Sequence, residues 1–304
     1  MKRSPWLIHA TALFICRKFF PALVFSLAIR TVGPMHHGYT HGTHPCGRCH
    51  AKGKSATYHE DRWRLEHWPA YWGASEPDTL VLGFSMGARQ VAAARSKEFE
   101  QVAFDTHRHK LERILNTLGI RRHGQSIDAT MTQWSRSLGY SSLARCSLGL
   151  RGPGERDYKT SGAIMKVAPS DPWASEVLKR CASTYLTTLP ASVKRVVLLG
   201  SSDAYVAGVR ALLRQVFEDF SDINPVSLRA NGCTWVFAVH PSRLNRVDAW
   251  IDEPSTGVAG RKRAWAQAAI ARSYEAEDVR PSRIGTKRVF KRADELARVE
   301  AGRG

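Results

Sequence analysis

TLVLGFSMGARQ, residues Thr79 to Gln90, begins with a short apolar run rich in β-forming residues that closes on Gly83. Such a run predicts a buried parallel strand that delivers a turn, Phe84 to Gly87, to one edge of a sheet. In open α/β sheets ligands bind beyond the carboxyl ends of the strands, so this turn is where chemistry is expected. Two later runs end in the same way. Arg195 to Gly200 (RVVLLG) stops at Ser201-Ser202-Asp203, and Thr234 to Val239 (TWVFAV) stops at His240-Pro241-Ser242. With a weaker strand over Tyr140 to Leu148 (YSSLARCSL), the expectation is an α/β domain of three α/β/α layers. Its central sheet is mostly parallel and has about four strands.

The chain has 304 residues, and Lys plus Arg outnumber Asp plus Glu 45 to 27, for a net charge of +18. That excess suits a polyanionic partner, because each contacted phosphate releases condensed counterions; a solvated Arg-rich surface is the plainer alternative. Six cysteines (Cys16, Cys46, Cys49, Cys146, Cys181, Cys233) in a chain this long do not make a disulfide scaffold. The reduced thiols lead to the expectation of a cytoplasmic protein. Residues 1–45 form an N-terminal extension, with the functional start expected at or near Met35. Its apolar patches, Trp6 to Cys16 and Phe19 to Ile29, are each too short to span a bilayer and are split by Arg17 and Lys18. Residues 46–252 form the domain proper. Residues 253–304 form a basic tail, partly helical and available to nucleic acid, that carries Arg261, Lys262, Arg263 and Arg280 among others.

Cys46-Gly47-Arg48-Cys49 sets two thiols on one tight turn in a loop rich in His and Gly. That spacing suits zinc, an iron–sulfur cluster or, with His50, c-type haem attachment. For zinc the further ligands at hand are His44 and His50. Unpaired thiols beside a solvated tail are the bland alternative. Further on, Leu111, Ile114, Leu115 and Leu118 recur at helical spacing and predict a helix over Thr106 to Gly119, with the aromatic Phe104 at its mouth. Arg151 to Lys166 is expected to be a surface loop. A helix is expected to start at Asp171-Pro172, with Leu178, Cys181, Tyr185 and Leu189 on one face.

Gly83-Phe84-Ser85-Met86-Gly87 also fits G-x-S-x-G, the nucleophile elbow of α/β-hydrolases, with Asp203 and His240 following in the order that fold uses. The surroundings favour it less. An α/β-hydrolase builds several strands before its elbow, and that space here holds the His- and Cys-rich segment.

Taken along its length from Cys46 to Trp250, the chain resembles the uracil-DNA glycosylase superfamily, in particular its iron–sulfur class. Cys46 and Cys49 come first, and the turn Gly83 to Gly87 stands where the family has G-x-x-P-G. Phe104 to Leu111 (FDTHRHKL) stands where it has F-V-G-x-x-G-x-L. Tyr140 to Cys146 looks like the strand that ends in the third cysteine. Cys181 matches the fourth, before Val196 to Gly200, and His240-Pro241-Ser242 matches the family's H-P-S turn. The resemblance implies a [4Fe–4S] cluster on Cys46, Cys49, Cys146 and Cys181, and DNA as partner. The leading function is excision of a damaged base, uracil or another lesion, by hydrolysis of the N-glycosidic bond. It further implies that Phe104 stacks on the extruded base and that His240 stabilises charge on the base carbonyl. Gly83, Phe84, Ser85, Ser142 and Ser242 would line the base site, and Leu244 would fill the vacated stack. Arg243 and Arg246 would hold phosphates. The chain departs from the family in two places, the first of which also has Met86 where the family has proline. Phe84 and Ser85 occupy the place of a water-activating Glu, Asp or Asn, and Ser142 that of the pyrimidine-reading Asn. A catalytically silent DNA-binding relative is therefore the second reading, and a hydrolase using Ser85, Asp203 and His240 the third. Where the first turn lacks its carboxylate, Asp105 or Asp203 could supply one.

Overall fold

The structure is a computed structural model and describes residues 38–51, 54–160, 162–242 and 244–278, with backbone alone at 163, 244, 245 and 278. The N-terminal apolar patches, Cys16 and the basic residues from 280 onward lie outside the described residues.

In chain order the strands are β1 (Gly42–Thr43), β2 (Ala56–His59), β3 (Trp63–Glu66), β4 (Ala70–Gly73), β5 (Thr79–Ser85), β6 (Leu138–Ala144), β7 (Ser147–Leu150), β8 (Arg195–Leu199), β9 (Ser221–Asn224), β10 (Ser227–Ala230) and β11 (Cys233–Ala238). The helices are α1 (Ala88–Ala94), α2 (Phe99–Val102), α3 (Arg108–Thr117), α4 (Gly162–Val167), α5 (Pro172–Tyr185), α6 (Asp203–Val216), α7 (Leu244–Asp252) and α8 (Val258–Asp278). The protein is mixed α/β. Its main sheet has eight strands in the order β1-β4-β6-β5-β8-β11-β10-β9, which corrects the expected count of about four. The four strands legible as apolar runs, β6, β5, β8 and β11, are the central ones, and they pair in parallel. Apolar side chains on both faces mark them as central: every residue of β8 and β11 is buried. The added strands are short antiparallel edges, β1 and β4 on one side and β10 and β9 on the other. Gly73 ends β4 at φ +100°, with the Leu138 carbonyl where a Cβ would stand, so only glycine lets these two strands meet there.

Tyr140 to Leu148 is not the single strand expected. Arg145 and Cys146 form a corner between β6, in the main sheet, and β7, which joins β2 and β3 in a separate antiparallel sheet. The helix expected over Thr106 to Gly119 is a 3₁₀ turn, Asp105–His107, followed by α3, and Leu111, Ile114, Leu115 and Leu118 are buried as the spacing requires. Asp171 caps α5, its carboxylate accepting from the N–H groups of Trp173 (3.1 Å) and Ala174 (3.0 Å).

Residues 258–278 are not a free tail. Ala266, Ala269, Ile270 and Tyr274 of α8 are buried. Arg195, buried at the start of β8, lies with its guanidinium carbon 3.8 Å from the Tyr274 ring centroid and pairs with Glu277 at 3.1 Å. Half of this stripe is alanine and basic residues surround it, so its periodicity is faint in the sequence. Among the described residues no helix is long and apolar enough to cross a membrane.

Candidate active site and cysteine centre

The carboxyl ends of β5, β6 and β11 open onto a cavity of about 670 Å³. Its lining brings together Gly83, Phe84, Ser85, Phe104, Ser142, His240 and Ser242, residues from four separate stretches of sequence. The parallel register explains part of this. Gly83 lies opposite Ser142 and Ser85 opposite Ala144, so the ends of β5 and β6 reach the edge together. A Cβ on Gly83 would stand 3.3 Å from the Ser142 hydroxyl oxygen, so a larger residue would crowd this wall. Phe84 is 3% exposed and meets the Tyr205 ring edge-on at 5.9 Å, so much of it serves the core. The third polar turn does not take part. Ser201 and Asp203 are absent from the lining and hold Lys262 instead, at 3.0 Å and 2.6 Å.

His240 is set by its own turn. Its Nδ1 accepts the backbone N–H of Ser242 at 3.2 Å and lies 2.8 Å from the Ser242 hydroxyl. A ring nitrogen that accepts an N–H carries no proton, so the neutral imidazole bears its hydrogen on Nε2.

Phe104 has φ 52° and ψ 11°, the left-handed region that is costly for a residue with a Cβ. Bonds on both sides enforce it. His107 N–H donates to the Phe104 carbonyl at 2.6 Å, Arg108 Nε to the Ala103 carbonyl at 3.0 Å, and Lys97 pairs with Asp105 at 2.8 Å. The ring meets Tyr140 in a T-shape at 6.1 Å while bordering the cavity.

Three contributors to the lining were not singled out from sequence. The His107 Nδ1 is buried with no hydrogen-bond partner among the described residues, and burial, then the charges of Lys110 and Arg89, lower its pKa against an opposing Thr106 backbone contact. Arg89 borders the same cavity and makes none of the ion pairs of the described residues. Tyr158 to Thr160, in the expected surface loop, reach the cavity because the Thr160 hydroxyl accepts the Ala88 N–H at 2.8 Å. No periodicity or motif marks that loop.

The hydrolase triad is not assembled. Ser85 closes an extended strand and is not among the residues with positive φ, whereas a nucleophile elbow holds its serine in a strained turn. Asp203 is exposed and paired with Lys262. A triad histidine donates a hydrogen bond from its Nδ1–H to the carboxylate, and here Nδ1 is an acceptor.

A second group of side chains sits near the β6–β7 corner. Cys146 and Cys181 are buried, Cys46 and Cys49 partly so, and all four are free thiols. They lie within one another's electrostatic reach. Burial pushes the Cys146 thiol well up, and the neighbouring Cys181, Cys46 and Cys49 add to this. Burial likewise pushes Cys181 up to about 11, with Cys49 and Cys46 adding and the Arg145 backbone N–H and charge opposing. The loop carrying Cys46 and Cys49 is tied down at several points. His67 Nε2 lies 2.8 Å from the Cys46 carbonyl, the Thr57 hydroxyl donates to the Cys49 carbonyl at 3.0 Å, and Arg180 donates to the Arg48 carbonyl at 3.2 Å. Among the described residues no three His, Cys, Asp or Glu side chains are grouped as a metal ion would require. Cys233 is apart from this group, its thiol directed to the Val193 carbonyl at 3.3 Å.

Arg243 and the Leu244 side chain lie outside the described residues, and Arg246 is exposed on α7. The sequence matches no known family model and no curated protein.

Proposed function

We propose that the protein is a DNA N-glycosylase of the uracil-DNA glycosylase type that excises a damaged base extruded into the cavity at the carboxyl edge of β5, β6 and β11. The observation that carries this reading is the meeting of Phe104, Ser142, the Gly83–Ser85 end of β5 and His240 on one cavity. A cavity of about 670 Å³ accommodates a flipped nucleotide, within the range of small-molecule sites. The reading expects the helices to cover both faces of the sheet as three layers, and the reduced thiols suit a cytoplasmic enzyme.

Phe104, locked in its turn, presents an aromatic ring against which the base can stack. As the N-glycosidic bond breaks, its electron pair leaves with the base, and negative charge gathers on the base carbonyl oxygen. His240, with its proton on Nε2, donates a hydrogen bond to that oxygen, and Ser242 fixes the ring for it. A water then adds to the sugar carbon and releases a proton. Ser85 is no base for this step. Asp105, paired with Lys97, borders the cavity and is the carboxylate candidate to position that water, whereas Asp203, paired with Lys262, is absent from the lining.

Four thiols gathered from the Cys46–Cys49 loop, the β6–β7 corner and α5 fit a [4Fe–4S] cluster. Each of the four thiolates would hold one iron, and zinc held by Cys46 and Cys49 with neighbouring histidines is the alternative. When bound, the cluster would fasten the N-terminal loop to the domain.

The test is incubation with duplex and single-stranded oligonucleotides carrying uracil, hypoxanthine or other lesions, followed by alkaline cleavage at abasic sites. Strand scission that H240A abolishes supports excision. Salt-dependent binding without scission on any lesion would mean a silent DNA-binding relative. Labelling of Ser85 by a fluorophosphonate, with indifference to DNA, would overturn both.

A further inference from the structure

Two arginines of this domain are almost wholly buried, Arg145 at 4% exposure and Arg195 at 1%. Both lie on tyrosine rings. Arg195 also has carboxylates, Glu277 at 3.1 Å and Asp78 at 3.7 Å. Among the described residues Arg145 has aromatic faces, the Tyr39 phenol and one carbonyl, and no carboxylate. Its guanidinium carbon lies 3.9 Å from the Tyr185 ring centroid, 4.9 Å from that of Tyr39 and 5.9 Å from that of Tyr71. It donates to the Gly38 carbonyl. The ion pairs of the described residues include none of Arg145. Cation–π contacts and neutral acceptors offset part of what a buried guanidinium loses in leaving water, but they do not balance its charge. An anion beside it would.

The box around Arg145 is built from the segments that carry the four thiols. Arg145 immediately precedes Cys146, Tyr185 lies one helical turn after Cys181, and Cys46 lies within electrostatic reach of the Tyr185 phenol. Cys181 lies within electrostatic reach of Arg145. As neutral thiols these cysteines offer no countercharge. As four thiolates on a cubane they do, because the thiolates outweigh the charge of the iron–sulfide core.

We propose that Arg145 is the buried countercharge of an anionic iron–sulfur centre on Cys46, Cys49, Cys146 and Cys181, and that it raises the reduction potential of that centre. The inference rests on the cluster reading given above. A fixed positive charge favours the more negative, reduced form of the couple. Removing it favours loss of an electron and lowers the potential.

The test is a ferricyanide titration of anaerobically purified full-length protein, following the visible absorption of the cluster, for wild type, R145Q and R145K. Each cluster electron lost is taken up by one ferricyanide, which becomes ferrocyanide. The expected result is oxidation of R145Q at a lower potential than wild type, with R145K close to wild type. Purified R145Q lacking iron and sulfide beside a loaded R145K supports the same conclusion. An intact R145Q cluster with the wild-type potential overturns it, as does an R145K potential shifted as far as that of R145Q. Should R145Q not fold, R145K decides alone: a wild-type potential upholds the countercharge and a shifted or absent cluster refutes it. Because Arg145 also borders the cavity, a change in DNA affinity at unaltered potential would assign its charge to the cavity and refute the inference. Wild-type protein without iron or sulfide would defeat the cluster reading itself, a result distinct from all of these.

Discussion

Ser242 holds His240 twice, with its backbone N–H 3.2 Å from Nδ1 and its hydroxyl oxygen 2.8 Å from the same nitrogen. The backbone bond survives mutation of the side chain, and the hydroxyl contact does not. S242A is therefore expected to lower base excision by roughly tenfold, the value of one hydrogen bond. H240A removes the group itself and is expected to cost about 10²- to 10³-fold. Single-turnover rates on one lesion oligonucleotide give both ratios, and equal losses would show that the serine hydroxyl does more than steady the ring.

The left-handed backbone at Phe104 makes alanine and glycine unequal replacements. Both remove the ring, so both are expected to lose base stacking and excision. Only alanine retains the strain, so F104G should be more stable than F104A by about 1 kcal/mol. Urea denaturation of the pair measures this. The reverse order would mean that the turn relaxes once the ring is gone.

Asp171 serves two partners at once, the first turn of α5 and Arg62, which it meets at 2.9 Å. D171A is expected to lower stability by about 1–2 kcal/mol, mostly through the lost cap. D171N keeps an acceptor for the helix and should recover the greater part. Thermal melts of the three proteins check the order.

Burial holds the Cys233 thiol up at about 11 against an ordinary 9.0, and the Tyr39 phenol at about 12 against 10.0, the latter opposed by Arg145. Both groups are more readily kept protonated in the folded chain than in the unfolded one. Their contribution is whole below the ordinary values and is lost as pH rises through the folded ones. The melting temperature is expected to fall from about pH 9 to pH 12, each group accounting for on the order of 2 kcal/mol. C233A should flatten the first part of that decline, and a melting curve unchanged by the substitution would refute the assignment.

Arg89 is exposed at the cavity mouth, where its charge reaches His107. On the DNA reading it meets a phosphate. R89A is then expected to weaken binding of all sequences alike and to reduce the slope of log affinity against log salt by about 1. Fluorescence anisotropy at several salt concentrations provides the slope.

The central strands were legible because burial on both faces leaves β5, β8 and β11 as unbroken apolar runs. The flanking strands β1, β9 and β10 were not, since segments of two to four residues carry too few positions for a period, whether exposed as in β9 or mostly buried as in β10. Of the candidate site, His240 and Phe104 stood out because each follows or precedes a strong element. Arg89, His107 and Thr160 gave no such signal, because their roles depend on loops meeting in space. Arg145 was visible only as a neighbour of Cys146. Its burial among three tyrosines arises from segments more than a hundred residues apart, Gly38 and Tyr39 on one side and the β6–β7 corner on the other.

One run of chain, Leu138 to Leu150, supplies β6 to the main sheet and β7 to the small one, with only Arg145 and Cys146 between them. So short a joint holds no slack. The small sheet cannot peel away while β6 stays paired, and β6 lies next to β5 in the middle of the main sheet. The two sheets are therefore expected to lose their structure in one cooperative event, as a single foldon rather than as body and appendage.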